Sequence, residues 1–421
     1  MYISEYTNDK TLGGSIVTTK KQQQKKPITR NKLLAVAGLG WLFDALDVGI
    51  LSFVIAALAI EWQLTPTEMG WIGSINSVGM AVGALVFGLF ADKYGRKAVF
   101  MWTLVIFSVA SGLSALTTTL AAFMVLRFFV GLGLGGELPV ASTLVSESVA
   151  PKERGRVVVL LESFWAGGWL LAALISYFVI PTYGWRVALL LTAIPAFYAI
   201  YLRISLPDSP KYEANKDKRQ PIWQNMKAVW QKKYAKNTLM LWIVWFMVVF
   251  SYYGMFLWLP SVMVMKGFDL IKSFEYVLIM TLAQLPGYFT AAWIIEKLGR
   301  KFVLSVYLLG TAISALAFGF ADTPSLLLLS GMFLSFFNLG AWGALYAYTP
   351  ENYPTIIRGT GAGMAAAVGR IGGILGPLVV GTLTVKSVDI GVIFSIFTAA
   401  IVIAIFAIIF LGKETKQLEL D

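Results

Sequence analysis

The sequence predicts an all-α integral membrane protein: twelve transmembrane helices in two six-helix bundles. Three observations carry that expectation. Hydrophobic residues make up 57% of the 421-residue chain and charged residues only 14%, with a mean hydropathy of +0.72. Soluble domains run near ~45–50% apolar and about 25% charged, so too few polar side chains exist to wet a globule of this size. Apolar runs of the roughly 20 residues that a spanning helix needs recur twelve times. Finally, the two halves of the chain share landmarks at one spacing.

The runs fall at about 33–60, 69–91, 98–116, 120–147, 156–180, 185–205, 237–265, 273–296, 302–320, 325–350, 358–384 and 389–411, called here spans 1 to 12. They divide the chain into a polar tail (1–32), a first bundle (33–205), a charged central loop (206–236), a second bundle (237–411) and a short tail (412–421). The first tail has no apolar core of signal-peptide type, so span 1 reads as a retained helix, and the tail itself reads as disordered. The central loop reads as a solvated linker with one or two surface helices. Of the 34 Lys and Arg, 28 fall on the side of the termini and four on the other. The excess of cytoplasmic basic residues seen in membrane proteins then puts both termini in the cytoplasm of a multi-pass plasma-membrane protein. Basic loops facing anionic lipid headgroups account for the net charge of +11 without a nucleic-acid partner.

The chain has no Cys and no His. This removes thiolate chemistry and the commonest metal ligand, so neither enzyme activity, a metal nor a cofactor is expected, and any proton carrier must be Asp or Glu.

The repeat is specific. Asp92, Gly95 and Arg96 after span 2 recur 204 residues later as Glu296, Gly299 and Arg300 after span 8. Glu147 and Arg154 after span 4 recur as Glu351 and Arg358. Two repeats of like orientation imply a pseudo-two-fold axis along the membrane normal, with substrate held at their interface near mid-membrane. Gly88 allows close helix approach, and Asp92 at a helix end can pair with arginines of the facing bundle. These landmarks therefore read as a gate, the alternative for the basic turns being stop-transfer signals. GLGLGG (131–136) has no strand before it. It reads as small residues for helix contact rather than as a nucleotide loop.

Ionisable groups inside spans are costly and mark function by default. Asp44 and Asp47 are three apart and share a helix face, about 18 and 22 Å along span 1 from Lys32 at 1.5 Å per residue. Two carboxylates so close resist ionising together, which suits proton uptake and release. The alternative is a pair of structural acids held by amides or by Arg127. Glu137 and Glu162 complete the proton-coupling candidates. Arg127 can fix helices 1 and 4 together, contact substrate, or both. Arg370 lies about 18 Å along span 11 from Arg358. It is an anion-binding candidate, since a guanidinium grips a carboxylate bidentately, or else a partner for Glu137 or Asp47.

Aromatic and amide side chains frame the same depth. Trp165 and Trp169 follow Glu162 at i+3 and i+7. Tyr252 and Tyr253 precede Gly254, where a bend is expected. Gln284 has Tyr288 at i+4, and Asn338 has Trp342 and Tyr346 at i+4 and i+8. Each stripe alone fits ordinary helix packing. Together with one cation they suit a flat anion. Trp62 and Trp185 read as interfacial anchors. A central, water-reachable vestibule joining the first-helix acids to Arg370 is expected.

These segments resemble the major facilitator superfamily: GLFADKYGRK (88–97), RFFVGLGLGG (127–136), PKERGR (151–156) and PENYPTIIRGTGAG (350–363) look like its loop and fourth-helix motifs, over about residues 30–412. The first-helix D-x-x-D with Arg127 and Glu147 resembles the pattern of its aromatic-acid proton symporters. Those usually have Gly after the first Asp, where this chain has Ala45. Longer stretches, among them GLGWLFDALDVGILSF (38–53) and FFNLGAWGALYAYTPE (336–351), are similar to the niacin permeases within the superfamily. The resemblance implies a monomeric carrier that imports a small anionic aromatic substrate, nicotinate or a related carboxylate, with a proton. The residues alone reach a small, anionic solute and leave a sugar or organic-cation carrier, or a receptor of the same fold, as alternatives.

Overall fold

The computed structural model describes residues 30–94, 96–135, 153–204 and 222–416. Of the gating candidates, Gly88, Asp92, Gly95, Arg96, Glu147 and Arg154, and of the proton-coupling candidates Glu137, lie outside the described residues or have side chains that do. The tail 1–29 and residues 205–221 lie outside them too.

Every apolar run within these limits is helical, the only way a lone segment can satisfy its backbone in hydrocarbon. Span 1 is Arg30–Glu61, span 2 Pro66–Tyr94, span 3 Arg96–Ser114 and span 4 Leu120–Gly135. Spans 5 and 6 form one stretch, Arg154–Ile204, broken at Gly184, whose φ of 81° suits glycine. Span 7 is Ala235–Phe256 continued as Leu259–Met265, and span 8 is Leu270–Leu282 continued as Gln284–Leu298. Span 9 is Arg300–Gly319, span 10 Pro324–Tyr348, span 11 Thr355–Val385 and span 12 Ile390–Leu411. Eight helical stretches among the described residues are long and apolar enough to cross a bilayer. The central loop contributes one short helix, Ile222–Ala228.

The bend in span 7 falls at Leu257 and Trp258 rather than at Gly254. Pro260 is the cause: it lacks an N–H for the carbonyl of Phe256 and its ring crowds that carbonyl. Gly254 serves a different purpose, since Phe397 of span 12 packs where a Cβ would stand. Pro286 interrupts span 8 at Ala283 in the same way.

The repeat in the sequence is a repeat in the packing. Spans 1 and 5 pair as do 7 and 11; spans 2 and 4 as do 8 and 10; spans 3 and 4 as do 9 and 10; spans 3 and 6 as do 9 and 12. The halves meet where span 2 packs on span 11 and span 5 on spans 8 and 10. The Gly-rich run of span 4 does what small residues allow: Gly131 and Gly135 bring its backbone against Asn76 and Met80 of span 2. Apolar stripes face outward, as on span 9, where Phe302, Val306, Leu309 and Ile313 are exposed at the i, i+4, i+7, i+11 spacing of one helix face.

At the end opposite the termini, Trp185 is not a lipid-facing anchor. It is buried, its indole donates to Glu61 at 2.7 Å, and its ring meets Trp62 edge-on at 5.6 Å. The indole N–H finds a carboxylate inside the bundle, so the ring turns inward. Lys266, beside span 7, donates to the carbonyls of Gly319 and Ala321, tying the loop before span 8 to the one before span 10. Burial pushes its ammonium below the usual lysine range, against the pull of Asp389 and Asp322.

Candidate functional site

Spans 1, 5, 7 and 10 bring aromatic residues to one centre, with Tyr288 of span 8 and Arg370 of span 11 beside it. Trp41 of span 1 donates its indole N–H to Glu162 Oε2 at 3.0 Å. One turn on, Trp165 donates to the Tyr252 hydroxyl of span 7 at 2.9 Å, a hydrogen bond between the halves. Trp165 and Trp342 lie nearly parallel with centroids 6.4 Å apart, Tyr252 meets Trp342 at 4.8 Å, and Tyr346 meets Trp41 at 5.9 Å and Trp245 at 4.9 Å. Trp169 closes on Tyr252 from the side at 6.4 Å.

The polar groups in this centre are short of partners. Gln284, Tyr288, Asn338 and Trp342 are buried. Both amide atoms of Gln284, the Tyr288 hydroxyl, Asn338 Oδ1, the Trp342 indole N–H and Glu162 Oε1 have no hydrogen-bond partner among the described residues. Buried polar atoms in native proteins are nearly always paired. Orphans on the helices of an aromatic cluster are candidate contacts for a polar, flat ligand.

Arg370 supplies the cation. Its Nη1 donates to the Tyr253 hydroxyl at 3.2 Å and lies 3.3 Å from Met80 Sδ. No carboxylate pairs with it among the described residues, and it is only half-buried. Arg127 differs. Fully buried, it lies 3.4 Å from Asp47, with Ser111 donating to the same carboxylate at 3.0 Å. Asp47 is thus held by a cation within the first bundle, and Asp44 is buried one turn away. Asp47's charge is answered by Arg127, and Arg370 and Tyr346 are partly exposed.

At the end near the termini, Arg300 is the hub. It pairs with Glu296 at 2.6 Å and with Glu351 at 3.1 Å. Glu296 also accepts the backbone N–H of Arg156 at 3.0 Å, a carboxylate of the second half on the first turn of a helix from the first. The partial positive charge of a helix N-terminus favours that placement. Gly299, with φ of 94°, makes the turn that delivers Arg300. Glu414 accepts the N–H groups of Arg300 and Lys301 at 2.8 and 3.1 Å, and Thr415 donates to Glu351 at 2.7 Å, so the segment after span 12 docks on the same hub. Arg358 donates to the carbonyl of Tyr353.

The family model of the Major Facilitator Superfamily matches residues 37–287 and 276–420. The chain belongs to that superfamily. It is therefore a multi-pass membrane carrier. Along its length it is 68% identical to a Bacillus subtilis (strain 168) protein named for niacin and nicotinamide transport, over 94% of this chain and 100% of the relative. It is 48% identical to the niacin transporter NiaP of Acinetobacter baylyi, over 92% of this chain and 95% of the relative. Among solved structures, the proton:xylose symporter XylE shares the fold, with a TM-score of 0.75 over 93% of this chain and 97% of that one at 19% identity.

The centre contains two aromatic residues that the sequence did not single out, Trp41 and Trp245. Trp41 had a local signal, since it stands three residues before Asp44 on the same helix. Trp245 had none within its own span.

Proposed function

We propose that this chain imports nicotinate, and related pyridine carboxylates or their amides, by alternating access with proton coupling, with both termini in the cytoplasm. The observation that carries this reading is a guanidinium, Arg370, with no carboxylate partner among the described residues, at the edge of an aromatic cage with orphaned polar atoms. It is supported by similarity over nearly the whole chain to carriers named for niacin. Nicotinate is a flat ring with one carboxylate. Indole and phenol faces take the ring, and Arg370, oriented by Tyr253, takes the carboxylate. A carboxylate moving alone into an inside-negative cell works against about 2.3 kcal/mol per 100 mV. A proton moving with it removes that opposition. Purified protein in liposomes is expected to accumulate labelled nicotinate under an inwardly directed proton gradient and only to equilibrate it without one. Binding without any transport would make the chain a receptor.

The hub at Arg300 is the cytoplasmic gate in this reading, and Glu296 is its link between halves. Glu296→Ala is expected to favour opening by about 1.5 kcal/mol, the lower end of what a hydrogen bond to a charged group is worth. Because the chain has no native Cys, a cysteine placed at the buried Val159 carries the variant's single thiol. Its maleimide labelling should accelerate roughly tenfold in the Glu296→Ala background. An unchanged rate would remove Glu296 from the gate.

A further inference from the structure

Glu162 is a carboxyl with no cation paired to it among the described residues, in a cage of rings. It is fully buried. Its Oε2 accepts from Trp41 at 3.0 Å, while Oε1 has no partner among the described residues. The Tyr288 hydroxyl of span 8, within electrostatic reach of Glu162, is likewise without a partner. Tyr346 of span 10 lies within electrostatic reach of both Glu162 and Arg370. One tyrosine is therefore shared by the carboxyl of Glu162 and the guanidinium of Arg370.

Nicotinate presents opposite needs at its two polar ends: a carboxylate that accepts hydrogen bonds, and a ring nitrogen whose lone pair also accepts one. Arg370 answers the first. We propose that Glu162, in its protonated form, answers the second, donating its O–H to the ring nitrogen, and that this is the proton carried with the substrate. The inference rests on the substrate reading above.

A protonated carboxyl has one O–H donor, whereas an ionised one only accepts. Ring nitrogen and carboxylate would then face each other as two acceptors. Substrate therefore binds only with the proton in place, and loss of the proton to the cytoplasm expels the ring. No covalent bond of the substrate changes. The single proton lies between oxygen and nitrogen, and the cargo of anion plus proton carries no net charge. The other titratable groups around Glu162 do not compete for this role. Tyr252 and Tyr253 of span 7, Tyr288 and Tyr346 offer phenolic hydroxyls rather than carboxyls, and Arg370 a guanidinium without an acceptor. Along span 1, Asp47 is held by Arg127, and Asp44 is one turn away from it.

The test uses full-length protein in liposomes with labelled nicotinate. Wild-type exchange at equal pH on both sides should fall about tenfold per pH unit above the titration midpoint. In Glu162→Gln the amide N–H donates to the ring nitrogen at any pH. Exchange should stay within about tenfold of wild type at acid pH, lose its pH dependence, and no longer drive accumulation under a proton gradient. A second measurement does not depend on that variant folding. Wild-type protein in weak buffer, at a pH above that midpoint, should take up one proton per nicotinate bound and none with benzoate, which lacks the ring nitrogen. Gradient-driven accumulation by Glu162→Gln, or no proton uptake with nicotinate, or equal uptake with both acids, overturns the assignment. A wild type that fails to exchange nicotinate at all refutes the substrate reading instead.

Discussion

Arg370→Ala is expected to weaken nicotinate binding roughly thirty- to several-thousand-fold while leaving nicotinamide binding within a few-fold of wild type. The span follows from the cost of removing one partner of a desolvated, hydrogen-bonded charge pair, about 2–5 kcal/mol. The asymmetry is the informative part. Nicotinamide keeps the ring and its nitrogen but has no charge for the guanidinium to answer, so it loses at most a neutral hydrogen bond, about 0.5–1.5 kcal/mol. Arg370→Lys should recover only part of the loss, because an ammonium offers a point charge without the planar fork. Tyr253→Phe, which removes the hydroxyl 3.2 Å from Nη1, should shift nicotinate affinity in the same direction by a smaller factor. Isothermal titration of detergent-purified protein with both ligands reads all three variants. Equal losses for acid and amide in Arg370→Ala would make this arginine a structural residue.

Asp47→Ala should be the most destabilising single substitution in the first bundle. It leaves Arg127, fully buried, without its carboxylate. Breaking a buried pair from one side costs about 3–5 kcal/mol, whereas replacing both members by apolar residues is often neutral or stabilising. The double variant Asp47→Ala, Arg127→Leu is therefore expected to recover most of the thermal stability that Asp47→Ala loses. Melting temperatures in detergent measure the cycle. A double variant no more stable than the single one would mean that Arg127 is held by something other than Asp47. If the pair is structural and Glu162 carries the proton, stability and coupling separate: substitutions at Asp47 act on the first, those at Glu162 on the second.

Much of the site was legible before folding because membrane insertion makes charge conspicuous. Arg370, Arg127, Asp47 and Glu162 each stand in an apolar run, where an uncompensated charge is expensive. The i, i+3, i+7 order of Glu162, Trp165 and Trp169 already put a carboxyl and two indoles on one helix face. Which charge meets which was not legible. Asp47 and Arg127 are 80 residues apart and Trp41 and Glu162 are 121 apart, and a helical period says only that a side chain points inward. Before folding, Arg370 was the stronger candidate for an anion, and Arg127 stood between a helix-fixing ion pair and substrate contact. The fold carries Arg127 on span 4 to Asp47, whereas span 11 carries Arg370 to a tyrosine hydroxyl.

The twelve spans, the duplicated halves and the bias of basic residues toward the termini follow from the sequence alone. Each rests on local composition: whether some 20 residues can lie in oil, whether a charged turn recurs at a fixed offset, where lysines can stand. The tertiary structure decided the rest. It turned Trp185 inward, put the bend of span 7 beyond Gly254, tied the segment after span 12 to Arg300, and paired Asp47 with Arg127 and Glu351 with Arg300, leaving Glu162 and Arg370 without an opposite charge among the described residues. Those outcomes depend on close approach between helices distant in the chain, where a shift of a few ångströms separates an ion pair from an open binding group, and no local pattern encodes that distance.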